Sequence, residues 1–431
     1  MQNKLRPLIL GDLEIKIPII QGGMGVKIST SSLVSAVSNY GAAGTIASVG
    51  LGHGRPDNKT NFPKASSDGL REEIRETKKL TKGVFGVNIM VALTNYEDLV
   101  KTTVKEGVDF IVSGAGLPLH LPELTKGSSI KLIPIASSAR AADIIIKTWK
   151  RRYNRLPDAI VVEGPLAGGH LGFKYDDLAS NKADTLESIL EDVVKLSKKY
   201  GNIPVIAGGG ISDGKAIAKF LKLGAKGVQI ATPFVATNEC SVADEFKQAY
   251  LKAKKEDILI IKSPVGMPGR AIRTKLIDKV MSGKKIKFKC NYKCLKTCDP
   301  DTAPYCIADA LFNAADGNLD DSVVFTGANV FKINKIIPIN ELMDKLVNEA
   351  IITLRKLSGQ KSHKPMPKQH LFTINELAVY LGMQPITIYK HAAAGRFPGF
   401  KVGSKWRFKK ATIDKWIKHQ EDNRTSTKVK K

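Results

Sequence analysis

VVEGPLAGGHLGF, residues 161–173, is a β-branched run that breaks off into small and polar residues. Gly168 and Gly169 deliver a histidine, His170, with Gly172 close behind. The pattern reads as a buried strand running into a loop whose backbone must admit a bulky neighbour. An imidazole placed there can exchange protons near neutral pH, which makes His170 a candidate catalytic group. The plainer alternative is a tight turn that happens to carry a histidine.

Outward from this stretch the same unit repeats. Apolar strands are expected over 17–21, 43–47, 85–90, 109–113, 131–135, 159–163, 204–207 and 227–230. Nearly all are followed by amphipathic helices, expected over 31–40, 70–80, 96–106, 138–153, 185–199, 213–223 and 240–254. The long polar stretch 48–69 reads as a loop. Eight such units over about 250 residues have the size and rhythm of a (β/α)8 TIM barrel, an α/β fold. A doubly wound open sheet is the alternative, but it carries one Gly-rich turn after its first strand. Here glycines follow most strands, at 22, 23 and 25, at 114 and 116, at 168 and 169, and at 208–210. In a barrel the loops after the strands share one rim, so these glycines, Asn88 and His170 would converge on one cleft. IAGGGI at 206–211, with Asp213 as a helix cap, and GVQIAT at 227–232 carry a phosphate signal. Backbone N–H groups freed by glycine, together with a helix N-terminus, hold phosphates at this place in a barrel.

The chain has 431 residues, 43% hydrophobic and 25% charged, enough for a large core and two domains. No apolar run approaches the ~20 residues of a membrane span. The first residues lack the apolar core of a secretory signal, so a cytoplasmic protein without a membrane partner is expected. The formal charge of +26 is uneven. Residues 355–431 hold 18 Lys and Arg against 4 Asp and Glu, a net of +14, while the 354 residues before them carry +12. That asymmetry points to an appended nucleic-acid-binding module. A Lys-rich background accounts for part of it.

GGMG at 22–25, GVN at 86–88, AGGHLG at 167–172, AGGGI at 207–211 and GVQIAT at 227–232 stand in one order over most of a domain. With them, residues 1 to about 350 resemble the nitronate monooxygenase (2-nitropropane dioxygenase) family. These are FMN-dependent barrels related to the flavin-dependent enoyl-acyl-carrier-protein reductases. The resemblance implies that Gly22, Gly23 and Met24 lie against the flavin ring, that Asn88 hydrogen-bonds it, and that Glu163, Gly168 and Gly169 lie near the same face. It also implies that Gly209, Gly210, Gln229, Ala231 and Thr232 hold the FMN phosphate and that His170 is catalytic. A neutral His170 would take a proton from a nitroalkane carbon; as imidazolium it would stabilise the anionic nitronate.

The implied activity is oxidation of a small-molecule alkyl nitronate with O2. The alternatives are an NAD(P)H-dependent flavin reductase acting on an enoyl thioester or a quinone, and a flavin-linked DNA-binding regulator. Two positions depart from the family pattern. Ala231 stands for a glycine in the phosphate motif. Glu163 stands for a glutamine and would put a negative charge near the flavin, disfavouring an anionic reduced ring and an anionic substrate.

Cys290, Cys294, Cys298 and Cys306 are spaced C-x3-C-x3-C-x7-C in an insertion near 290–306, and Cys240 stands alone. In a cytosolic protein four such thiols read as ligands of a metal, an iron–sulfur cluster ahead of zinc, or as reduced thiols on packed loops. A helix is expected over 307–315, and the TGAN at 326–329 is not assigned to the site.

The barrel is expected to occupy residues 1–354, followed by a polar linker over 355–370. Residues 371–420 then form a compact pattern of their own. Thr373 and Glu376 make a capping box opening a helix with Leu377, Ala378 and Leu381 on its apolar face, and Gly382 ends it. Pro385 opens a second helix. FKVGSKWRF at 400–408 is a hairpin about Gly403 and Ser404, and a closing helix over 409–420 turns Ile413, Trp416 and Ile417 inward. This resembles the excisionase-like, MerR-type winged helix-turn-helix, which implies DNA as a partner. Gln384, Thr387, Tyr389, Lys390 and His391 would face the major groove; Arg396, Lys401, Lys405 and Arg407 would reach phosphates or the minor groove. A protein contact is the alternative use of so small a fold. Trp406 is either a core anchor or a wing contact. Residues 421–431 are expected to be disordered.

Overall fold

Eight short strands, apolar on both faces, pair side by side: β1 (Ile19–Gln21), β2 (Gly44–Ala47), β3 (Phe85–Met90), β4 (Phe110–Gly114), β5 (Lys131–Ala136), β6 (Ile160–Glu163), β7 (Val205–Gly208) and β8 (Gly227–Ile230). In the computed structural model, which describes residues 4–358 and 371–427 (side chains to His419), they run parallel in the order β1-β8-β7-β6-β5-β4-β3-β2. A bridge between Ile20 and Ala43 closes the ring. At this seam the Gln21 N–H donates to Ala43 O (2.8 Å) and the Ala43 N–H to Ile19 O (3.0 Å). The Gln21 side chain stitches the same place, its Oε1 accepting from the Thr45 N–H (3.0 Å) and its Nε2 donating to Ser29 Oγ (2.8 Å). The fold is the (β/α)8 barrel that the periodicity predicts.

Alternate residues of the strands fill the barrel. Ile20, Phe110, Val112, Ile133, Val161 and Ile206 are fully buried inside it. An N-terminal hairpin, Leu8–Leu10 paired with Leu13–Ile15, plugs one end with Leu8, Leu10 and Ile15. The other strand faces, Ile160, Val162, Val205, Ala207, Val228 and Ile230 among them, pack against the helices. Burial on both faces explains why these strands read as unbroken apolar runs.

The helices of nine or more residues around the barrel are α1 (Ser31–Tyr40), α2 (Phe62–Leu80), α3 (Tyr96–Glu106), α4 (Ala139–Tyr153), α5 (Leu186–Lys198), α6 (Gly214–Lys222), α7 (Asp244–Lys252), α8 (Ile307–Ala315) and α9 (Ile339–Leu357). Three differ from expectation. α2 begins eight residues before 70, because Asn61 accepts from the Lys64 N–H and Pro63 sits in the first turn. α7 starts at Asp244 rather than at 240. α9 was not anticipated; it packs on α6, and Glu349 Oε2 accepts from the Gly214 N–H (2.9 Å). Residues 355–357 therefore belong to α9 and not to a linker; residues 359–370 lie outside the described residues.

A small antiparallel sheet was also missed. β9 (Ile258–Lys262) pairs with β10 (Pro268–Ile272), and β10 with β11 (Val324–Phe325). On its other edge β10 takes up Gly169–His170, with Gly169 opposite Arg270 and His170 opposite Gly269.

The chain divides into two units after Ser358. The second contains α10 (Ile374–Leu381), α11 (Pro385–Ala393), α12 (Lys410–Thr427) and a three-stranded sheet of Leu371–Phe372, Phe400–Val402 and Lys405–Lys409. Both capping-box bonds form: the Glu376 N–H donates to Thr373 Oγ1 (3.3 Å) and the Thr373 N–H to Glu376 Oε2 (2.8 Å). The core is Phe372, Leu377, Ala378, Ile388, Ala392, Phe397, Phe408 and Ile413. α12 runs on through Thr427, past the expected helix end at 420; the segment holds no Gly or Pro to stop it. Residues 428–431 lie outside the described residues. Among the described residues no helix is long and apolar enough to cross a membrane.

Candidate active site

Strand alternation decides which side chains enter the barrel mouth. Val87 and Ile89, Val162, and Val228 and Ile230 pack outward among the helices, which turns Asn88, Glu163 and Gln229 inward. Glu163, Gly208 and Gln229 lie side by side in register on β6, β7 and β8. Above them opens a cavity of about 490 Å³. Its wall includes His170 and all twelve residues expected to hold the cofactor: Gly22, Gly23, Met24, Asn88, Glu163, Gly168, Gly169, Gly209, Gly210, Gln229, Ala231 and Thr232. Glycine is required at two places. A Cβ on Gly23 would stand 2.5 Å from Asn88 Cβ. Gly209 and Gly210 adopt φ of +97° and +77°, the left-handed region that suits glycine.

The unassigned segment 326–329 joins the wall. The Gly327 N–H donates to Thr232 Oγ1 (3.1 Å) and Asn329 Nδ2 donates to Gly210 O (2.7 Å), so this loop braces the glycine turn after β7.

His170 is held from the β9–β11 sheet. Its Nε2 lies 2.8 Å from Ser263 Oγ, and Phe325 meets its ring edge-on at 4.7 Å. The half-buried ring lines the cavity, and burial lowers its pKa to about 4. Burial thus favours the uncharged imidazole at neutral pH. Arg270 fixes the loop before it: Nη1 donates to Pro165 O (2.7 Å) and Ala167 O (2.5 Å). Burial brings this guanidinium down to about 10. Tyr250 OH donates to Phe325 O (2.6 Å). Ser263, Arg270, Phe325 and Tyr250 were all missed. The signal was there in ILIIKSPVGMPGR at 258–270, an apolar run broken by Pro and Gly.

Glu163 departs from expectation in charge. Among the described residues its carboxyl has no hydrogen-bond partner, and burial alone pushes its pKa up to about 7. It is not a fixed negative charge. The ionisable residues in the wall are Glu163, His170, Tyr250 and Cys294, with no Lys, Arg or Asp among them.

Among the described residues no three His, Cys, Asp or Glu side chains are arranged to hold a metal ion. The four thiols share a neighbourhood. Burial, then the neighbouring Cys290 and Cys298, push Cys294 up to about 12, and burial does the same to Cys306. Packing sets the segment's shape. Cys294 O accepts from the Thr94 N–H (3.1 Å), Leu295 pairs with Leu93, and the Cys294 and Cys306 side chains rest against Val26, Tyr292 and Phe312.

In the second unit Gln384, Tyr389, Lys390, Arg396, Lys401 and Lys405 are exposed. Thr387, His391 and Arg407 are half-buried. His391 turns its ring toward Phe397 (5.4 Å), which sets it apart from the exposed face of α11. Trp406 is half-buried, stacked on Phe408 with Lys401 Nζ 5.4 Å from its ring.

The family model for nitronate monooxygenase matches residues 6–106 and 92–349. The chain belongs to the nitronate monooxygenase family. It is an oxidoreductase of this generally FMN-dependent family, and a helix-turn-helix domain model matches residues 371–421. A probable nitronate monooxygenase of Staphylococcus saprophyticus is 29% identical over 314 residues, 64% of this chain and 81% of that one. A Mycobacterium tuberculosis protein named as a hydroxy-methyl-oxo-octahydroindene-carboxyl-CoA dehydrogenase is 30% identical over 284 residues, 66% of this chain and 71% of that one. Among solved structures, FabK from Thermotoga maritima superposes with a TM-score of 0.63 at 29% identity, covering 79% of this chain and 95% of that one. Nitroalkane oxidase from Streptomyces ansochromogenes, at 20% identity and a TM-score of 0.62, covers 79% of this chain and 97% of its own and shares the fold.

Proposed function

We propose that the barrel of this nitronate monooxygenase family member holds FMN at its mouth and oxidises alkyl nitronates with O2. The observation that carries this reading is one cavity joining an uncharged imidazole to three glycine turns cleared of side chains. The residues present fit the cofactor. Gly22, Gly23 and Met24 would lie along the ring, where the missing Gly23 Cβ leaves the clearance, and Asn88 would hydrogen-bond it. Backbone N–H groups of Gly209, Gly210 and Thr232, with Gln229 and Ala231, would hold the phosphate. Ala231 has φ −126°, outside the left-handed region that would call for glycine. FMN, when bound, takes electrons from the substrate and passes them to O2.

His170 is the base. Assigning Nε2–H as the donor to Ser263 Oγ leaves Nδ1 to accept the proton from a nitroalkane carbon. Ser263 Oγ also accepts from the Val265 N–H (3.3 Å), which holds it beside the ring. Arg270 keeps the histidine loop in place through the two carbonyls. The second unit binds DNA in this reading, with α11 presenting Gln384, Thr387, Tyr389 and Lys390, and with Arg396, Lys405 and Arg407 on phosphates. No step is assigned to the four cysteines.

A second reading, an NAD(P)H-dependent reductase of an acyl thioester, draws on one feature. Val265, Met267, Leu295, Ile307, Leu311 and Phe312 give the cavity an apolar wall that a small nitronate leaves unfilled. Anaerobic mixing separates the two. Alkyl nitronate should bleach the yellow protein rapidly and NADPH should not; the reverse result replaces the first reading with the second. A purified protein that is colourless and refuses added FMN removes both.

A further inference from the structure

We propose that Glu163 works in this cavity as an acid: its carboxyl proton neutralises the negative charge that two-electron reduction leaves on the bound flavin, and reoxidation returns it. The inference rests on the FMN reading above and adds a second proton-handling group beside His170.

Placement comes first. β6 turns Val161 into the barrel core and Val162 toward the helices, so Glu163 closes the strand facing inward. Beneath it lie Val161 and Ile206; beside it, in register, Gly208 offers no side chain. A half-buried carboxyl among apolar residues ordinarily finds a donor. Glu163 has none among the described residues, and it lines the cavity, so its partner is what the cavity receives.

Charge comes second. An ionised Glu163 would meet no cation. β7 and β8 carry no titratable group, and Lys131 of β5 is paired with Asp12 at the plugged end of the barrel. On α5, Glu187 is paired with Lys219, and Glu191 and Asp192 are exposed. The other ionisable wall residues are His170, which is neutral, Tyr250 and Cys294. Enclosure therefore raises the carboxyl to about 7, so that it largely holds its proton at pH values below neutrality.

The step balances. Two electrons reach the ring with one proton, leaving one negative charge. The Glu163 O–H bond breaks, its proton goes to that charge, and a carboxylate remains. Reoxidation sends the proton back. A glutamine here could donate a hydrogen bond but could not give up a proton.

The test uses FMN-loaded full-length protein, wild type and Glu163→Gln, photoreduced without oxygen at pH 6.5. The wild type should show the absorption of neutral reduced flavin and the variant that of the anionic form. In the reduced-minus-oxidised infrared spectrum, the wild type should lose a protonated-carboxyl C=O band that the variant never shows. Identical reduced spectra with no carboxyl band overturn the proposal. If the variant fails to fold or to take up FMN, the wild-type infrared spectrum decides alone: loss of the band supports the role and its persistence sinks it. A wild type that takes up no FMN removes the flavin reading itself, whereas one that takes it up and shows neither change removes only the role of Glu163.

Discussion

His170 and Glu163 feel the same enclosure and respond in opposite directions. Burial disfavours charge, so the imidazole falls to about 4 and the carboxylic acid rises to about 7. Groups pushed apart in this way divide the work of base and acid. Replacing His170 with Ala should lower kcat/KM on a nitroalkane by about 10²–10⁴ while FMN stays bound, read by steady-state rates and by the flavin spectrum. The pH profile on a preformed nitronate follows from the signs. His170 is neutral above about 4, so no acid limb should appear in the physiological range. Glu163 ionises through about 7, and its carboxylate repels an anionic substrate, so kcat/KM should fall on the alkaline side. Glu163→Gln should flatten that fall; an unchanged alkaline limb would assign it to another group.

At the scale of elements, the β9–β11 sheet aims the histidine. Arg270 is the joint, because one nitrogen serves two carbonyls of the loop that carries His170. Replacing Arg270 with Met leaves both carbonyls without their donor, at about 1–3 kcal/mol each. The expected result is a lower melting temperature and a fall in kcat larger than the change in KM, since the base loses its aim before the cavity loses its shape. A drop in KM alone would contradict this.

The eight barrel strands were legible because each is a short, largely apolar run, and glycine ends or directly follows β1, β4, β6 and β7. The meeting of the strand-end residues at one cavity was legible too, since strand alternation and the common rim bring them together; which of them would face a flavin came from the family resemblance. The partners of His170 were not legible. Ser263 is 93 positions away in sequence, and only the pairing of β10 with Gly169–His170 brings it near. α9 is a different kind of miss. Ile339, Leu342, Met343, Leu346 and Ala350 have helical spacing that was there to be read. The apolar contacts of the cysteines were not legible either: Cys294 and Cys306 pack against Val26, Tyr292 and Phe312, which their spacing in sequence does not reveal.

The whole molecule is two cores on one chain, and its charge is divided between them as unevenly as its chemistry. If the second unit reads DNA, replacing Lys405 and Arg407 with Ala in the full chain should weaken retardation of a bound duplex. It should also reduce the slope of log affinity against log salt by about 1–2, one for each phosphate left unneutralised, while flavin turnover is unaffected. An unchanged slope would put these side chains off the duplex.

The barrel is closed at its seam by few main-chain bonds and one amide side chain. Gln21 supplies that stitch, immediately before the glycines of the cavity wall. Most staves are riveted along their length; the last joint is sewn with a single thread, and cutting it should let the wall breathe. Gln21→Leu is expected to speed deuterium uptake at Ala43 and Thr45 ahead of the β4–β5 ladder, so that the molecule leaks first at the place where it must stay shut around its ligand.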